Sequence, residues 1–300
     1  MAFLTGWNYR KEITISPTNI DATLTNFPVL VELNSGNFDF TKALSTGADI
    51  RFTDSDGETL LPYERENHDN SGQVATYHVK IPSISSSVNT TFYIYYDNSG
   101  ASDGEDATNV WDANYLRVYH MQDLTTSTIK DSTTTQNGTK DSANNPLQAN
   151  STIYKGQDFT EASSHSIQVG TLSINGNITI EAFVKPDAFT TIDTIFGTSD
   201  APGLNNDRYG AIMAFSSSNV RCWIGNNASG AQTFTSSLTG SAGSYQFVAF
   251  RADGSNLKLW LNDSTDSTAQ TVTPNLAYPS RLGRFGDFNG HYFDGIIDEI

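Results

Sequence analysis

The sequence predicts an all-β protein of two consecutive antiparallel β-sandwiches, and three observations carry that prediction. Charged residues make up only 17% of the chain, below the usual quarter, while 13 Tyr and 17 Phe stand among abundant Ser, Thr, Asn and Gly. Aromatic and β-branched side chains fill strands, and small polar ones fill turns. Short runs of period-two apolar alternation recur between turn signals, with no sustained helical period. Finally, 300 residues exceed what one core usually organises, and a polar stretch without periodicity interrupts the chain.

In chain order, the first part offers strands at Tyr9–Ile15, 27–33 and 91–96. Between them, 47–54 and 58–64 flank Ser55-Asp56-Gly57, a hairpin turn in which Gly supplies the positive φ. Residues 40–44 fit one helical turn. The small polar stretch 98–109 reads as a connector, giving a first domain at 1–98, a linker at 99–110 and a second domain at 111–300. Strands then resume at 115–121, 176–186, Asn219–Gly225, 245–252, 256–262 and 291–300. The Thr-, Ser- and Asn-rich segment 125–150 reads as a surface excursion.

A net charge of −16, from 33 acidic and 17 basic residues, argues against nucleic acid and anionic membranes as partners, because no Lys/Arg cluster reverses it locally. The single cysteine, Cys222, rules out an intrachain disulfide framework, and alternation puts it on a core stripe with Val220 and Ile224. No apolar run approaches the ~18 residues of a membrane span, so membrane insertion is not expected. Residues 1–7 do not read as a signal peptide.

Five motifs of the first part are Trp7-Asn8-Tyr9-Arg10-Lys11 leading to Ile15, Phe27-Pro28-Val29-Leu30-Val31, Ala48-Asp49-Ile50-Arg51-Phe52 with Asp54, Leu61-Pro62-Tyr63-Glu64, and Tyr93-Ile94-Tyr95-Tyr96. They resemble a domain of unknown function found at the front of bacterial, archaeal and phage surface proteins. Trp7, Tyr9, Phe27 and Pro28 are read as core and corner residues. In the second part, the markers are Ile178-Thr179-Ile180-Glu181-Ala182-Phe183, Phe247-Val248-Ala249-Phe250 with Asp253-Gly254, Leu257-Lys258-Leu259-Trp260 and Phe293-Asp294-Gly295-Ile296-Ile297-Asp298-Glu299. These resemble a laminin-G-like jelly roll of the concanavalin A-like lectin/glucanase superfamily. The resemblance implies that the last strand continues beyond Ile300.

Retaining glucanases on such a sandwich carry a Glu-x-Asp-x-(x)-Glu strand, since nucleophile and acid must lie ~5 Å apart. Here Glu181 is flanked by Thr179 and Phe183. The five histidines, His68, His78, His120, His165 and His291, accompany no Gly-x-Ser-x-Gly elbow, so no catalytic residue is assigned. Calcium is a candidate cofactor because hard oxygen ligands suit it. The resemblance implies Asp298 as a ligand, with Asp123 or Asp131 as partner; the alternative is that Asp298 accepts backbone N–H groups. Asp54-x-Asp56-Gly57 looks like half a calcium loop but lacks the distal Glu, and reads as a turn.

Sugars are held by aromatic faces with neighbouring hydrogen-bonding groups, which makes Trp223, Trp260, Tyr209 and Tyr292 candidates, the alternative being that each packs beneath a loop. The expected function is non-catalytic binding or adhesion to a glycan or glycoconjugate, displayed on a phage virion or cell exterior. A structural virion protein, a capsid decoration or fibre component contacting other virion or surface proteins, is the alternative. A polysaccharide-degrading enzyme is the third.

Overall fold

A computed structural model describes residues 2–124, 127–142, 145–199, 209–225, 230–286 and 290–300. The chain divides into two compact units, Met1–Tyr115 and Leu116–Ile300. Each is a pair of sheets, and every strand pairing is antiparallel.

In the first unit a four-stranded sheet runs Tyr9–Ile15, Thr90–Tyr96, Arg51–Thr53, Leu60–Leu61, and a three-stranded one runs Leu24–Asn34, Val74–Ile84, Tyr63–Asp69. Alternation in Thr90–Tyr96 sends Phe92, Ile94 and Tyr96 into the core, where they join Val31, Phe52, Tyr77 and Val79. Each fully buried side chain of this size contributes roughly 1.5–3 kcal/mol. The Ala48-Asp49-Ile50-Arg51 motif is structural. Buried Asp49 accepts from Leu44 N through Oδ1 and from Asp97 N through Oδ2, both at 2.9 Å. Trp7 Nε1 donates to Asp49 O at 2.6 Å, and Tyr63 OH to Ile50 O at 2.8 Å. At the hairpin, Asp56 Oδ1 accepts from Glu58 N and Thr59 N, and Gly57 has φ 83°.

Two expectations for this unit need correction. Tyr9 and Phe27 are each 42% exposed. Tyr9 opens an edge strand and stacks on Tyr96 at 5.6 Å, while Phe27 lies on the edge strand Leu24–Asn34, so neither is enclosed on both sides. Trp7 and Pro28 are half-buried. The stretch 99–110 is not a free linker. Arg65 pairs with Asp103 and Glu105, Arg51 Nη2 donates to Ser102 O, and Asp106 N donates to Tyr63 O at 2.8 Å. The short helix Ala107–Val110 buries Val110, and Trp111 Nε1 reaches Glu64 Oε2 at 2.6 Å. Polar composition marked this stretch as solvated, but its acids and carbonyls are the partners of half-buried guanidinium groups.

In the second unit a seven-stranded sheet runs Leu147–Asn150, Lys155–Phe159, Gly295–Asp298, Ile178–Pro186, Gln246–Ala252, Asn256–Leu261, Ser264–Ala269. The eight-stranded sheet opposite runs Ala231–Thr239, Asn219–Gly225, Tyr209–Ser216, Asp193–Ser199, Asn275–Leu282, Ile167–Asn175, Gly138–Lys140, Thr128–Ile129. Ile180, Ala182, Val184, Val248, Phe250 and Leu259 of the first meet Met213, Phe215, Val220 and Cys222 of the second. Burial raises the Cys222 thiol far above its ordinary range, so it is an inert core group.

Residues 115–121 are not a regular strand: Tyr119 pairs through Tyr119 N→Ile300 O at 2.7 Å and Ile300 N→Tyr119 O at 3.0 Å, Val118 O accepts from Ser132 N at 2.9 Å, and Met121 turns away with φ 59°. The segment 125–150 is more than an excursion, since it gives short edge strands to both sheets and buries Ile129 and Lys140, whose Nζ donates to Pro146 O. Thr-rich runs suit such strands. Among the described residues no helix is long and apolar enough to cross a membrane.

Candidate functional site

Because successive side chains on a strand alternate faces, the core stripe Ile180/Ala182/Val184 leaves Thr179, Glu181, Phe183 and Lys185 on the outer face of the seven-stranded sheet. Phe247, Ala249 and Arg251, then Lys258 and Trp260, lie outward on the next two strands. The register sets Glu181 opposite Ala249, Ala249 opposite Trp260, Thr179 opposite Arg251, and Arg251 opposite Lys258. Neighbouring strands lie about 4.8 Å apart, so the strands carrying Glu181 and Trp260 are separated by roughly 10 Å. Between them stands only the methyl group of Ala249. The result is a narrow slot between Glu181 and Trp260 whose floor, Ala249, is only 4% exposed and so is largely covered by its neighbours.

Phe183 and Phe247 pack at 5.5 Å along one end of this slot and are half-buried, like Trp260. At the other end, Lys258 Nζ stands 4.6 Å and the Arg251 guanidinium 5.6 Å from the Trp260 ring centroid, within cation–π range. Arg251 Nη2 also pairs with Asp253 at 2.9 Å, and Asp253 Oδ1 is fixed by Ser255 N and Asn256 N. Glu181 is open to solvent, yet burial by surrounding protein lifts its carboxyl above the usual range. A half-buried indole beside a carboxylate and two cations offers a stacking face and convergent hydrogen-bonding groups.

Of the residues singled out by sequence as stacking candidates, Trp260 lies on this face, half-buried, with Lys258 and Arg251 over its ring. Trp223 is 6% exposed on the outer side of the eight-stranded sheet, where it meets Phe285 edge-on at 5.5 Å, and Arg221 covers its ring at 4.2 Å. Its surface is spent on packing, which corrects its reading as a stacking residue. Tyr292 is buried beneath the Arg284 guanidinium and is corrected for the same reason. Tyr209 opens the strand Tyr209–Ser216, but its side chain lies outside the described residues.

Asp123, Asp131 and Asp298 do not form a three-carboxylate group among the described residues, and each carboxylate has partners within the fold. Asp131 braces its own turn, accepting from Val118 N, Thr133 N and Gln136 N. Asp298 is fully buried on the closing strand, accepting from Ile153 N at 3.2 Å, and burial, with Glu299 adding to it, pushes its carboxyl up to about 8. Asp123 accepts from Lys130 N at 3.0 Å and borders a polar cavity of about 360 Å³ with Gln122, Lys130, Gln148 and Tyr154.

Sequence reading missed Ala249, Phe183, Phe247, Arg251 and Lys258. The signal was present, since counting outward from the core stripes places all five on one face. What the sequence does not state is which strands are neighbours, and the slot depends on that.

Residues 46–137 match the domain of unknown function DUF2341, and residues 156–300 match the concanavalin A-like lectin/glucanases superfamily. The first match runs past Tyr115, so family limits and packing limits differ. Similar solved structures include domain 4 of AbnA, a GH43 extracellular arabinanase from Geobacillus stearothermophilus in complex with arabinotriose (20% identity, 61% of this chain and 88% of that one, TM-score 0.46). They also include the CBM40 of Ruminococcus gnavus IT-sialidase bound to α2,3-sialyllactose (16%, 51% and 89%, 0.38). A third is the botulinum neurotoxin type G receptor binding domain (10%, 62% and 47%, 0.47). No curated protein matches the chain.

Proposed function

We propose that this chain, a DUF2341 domain followed by a concanavalin A-like lectin/glucanase domain, is a non-catalytic glycan-binding protein that works at an outer surface. The single observation carrying the proposal is the Ala249 slot between Trp260 and Glu181. A saccharide ring laid over Ala249 presents apolar C–H groups to the indole and hydroxyls to Glu181, Arg251 and Lys258. Binding without turnover is favoured because hydrolysis of a glycosidic bond requires two carboxyl groups flanking it. Within this slot Glu181 is one, and Asp298 on the neighbouring strand is fully buried against Ile153 N. Display on a phage virion or a cell exterior suits this adhesion role.

Replacing the exposed Glu181 with Ala tests this, since it removes one wall of the slot without touching the core. Loss of glycan binding on an array with an unchanged melting temperature is the expected result. Release of reducing sugars from any bound polysaccharide would replace the binding role with a catalytic one. A structural role within a virion would leave the array blank for the wild type.

A further inference from the structure

The slot has an electrostatic end that glycan binding alone does not account for. Arg251 and Lys258 face one another directly across the strand ladder, and like charges opposed in this way work against folding. One carboxylate, Asp253, serves the two cations, and it pairs with Arg251. Among the described residues Lys258 has no carboxylate within ion-pair distance. Yet the chain holds 33 acidic residues against 17 basic ones, and neither neighbouring strand sets a carboxylate opposite Lys258, which faces Arg251 on one side and Ser267 on the other. Sites where a chain keeps a locally unfavourable arrangement are where function is to be sought.

Resting on the slot reading above, we infer that the ligand is an acidic saccharide, its anionic group seated on Arg251 and Lys258 while its ring stacks on Trp260. A guanidinium offers two parallel N–H donors to a carboxylate or a sulfate ester, and the neighbouring ammonium adds a point charge. The ammonium and guanidinium lie 4.6 and 5.6 Å from the indole centroid, so one sugar unit spans both contacts. The bound anion supplies the charge that the Arg251–Lys258 pair lacks, and binding therefore stabilises the fold.

The test is a glycan array divided into neutral, carboxylated (uronate and sialate) and sulfated members, probed with the whole chain and with Lys258→Gln. Binding confined to one or both acidic classes, weakened by salt and reduced about tenfold in Lys258→Gln, supports the inference, and the class bound identifies the anion. The variant should melt no lower than wild type, because it removes a like-charge contact; a purely structural lysine would lower the melting temperature and leave binding unchanged. Binding of neutral glycans alone, insensitive to Lys258→Gln, overturns the acidic assignment and keeps the slot. A blank array overturns both.

Discussion

The two units spend their charge differently. The first holds 16 acidic and 6 basic residues, the second 17 and 11. In the first, the motif charges are tied into the scaffold: Asp49 ties Leu44 to Asp97, Arg51 reaches Ser102, and Arg65 clamps Asp103 and Glu105. In the second, Arg251 and Lys258 stand on an open face beside Trp260. The difference teaches that a dense sequence motif can be a folding device, whereas the residues proposed to meet a ligand lie in the unremarked alternate positions of strands chosen for their core side.

The largest effect that would sharpen this contrast is expected at Asp49. Its replacement by Ala leaves buried backbone donors without acceptors, at roughly 1–3 kcal/mol each, so denaturant unfolding should show a loss of about 3 kcal/mol in the first unit with glycan binding by the second intact. A wild-type midpoint would show that the motif is not scaffold.

Next is pH. Asp298 rises from an ordinary 3.8 to about 8 and Asp193 to about 6, chiefly through burial. Both bind protons more tightly folded than unfolded, so their contribution is complete below about pH 4 and is lost as pH climbs, through about 6 for Asp193 and about 8 for Asp298. Melting temperature should fall between pH 5 and 8.5, and fall less steeply in Asp298→Asn. Parallel curves would show that Asp298 is not a buried neutral acid.

Smallest is Tyr9. At 42% exposure on an edge strand, its replacement by Ala should cost within about 1 kcal/mol, well under the 3–5 kcal/mol of an enclosed aromatic. A larger loss would restore it to the core.

The all-β class, the tandem arrangement and several strands were legible because side-chain period and turn chemistry are local: Asn219–Gly225 is where alternation put it, and Asp56-Gly57 makes its hairpin. What sequence did not yield was non-local. Alternation correctly set Trp223 apart from Cys222, but both sides of that strand are covered, by the core and by Phe285. Segment 99–110 looked solvated because the guanidinium groups that claim it lie some forty residues earlier. Trp260 was found by residue type; its slot was not, since Glu181, Ala249 and Trp260 are neighbours only through the register of three strands.

The most direct test of the open-face assignment compares two tryptophans on outward faces of opposite sheets, using the best-bound array glycan in calorimetric titration. Trp260→Ala should abolish binding with only a small fall in melting temperature, whereas Trp223→Ala should lower the melting temperature much further and, while folded, bind as wild type does. Undiminished binding by Trp260→Ala would contradict the account.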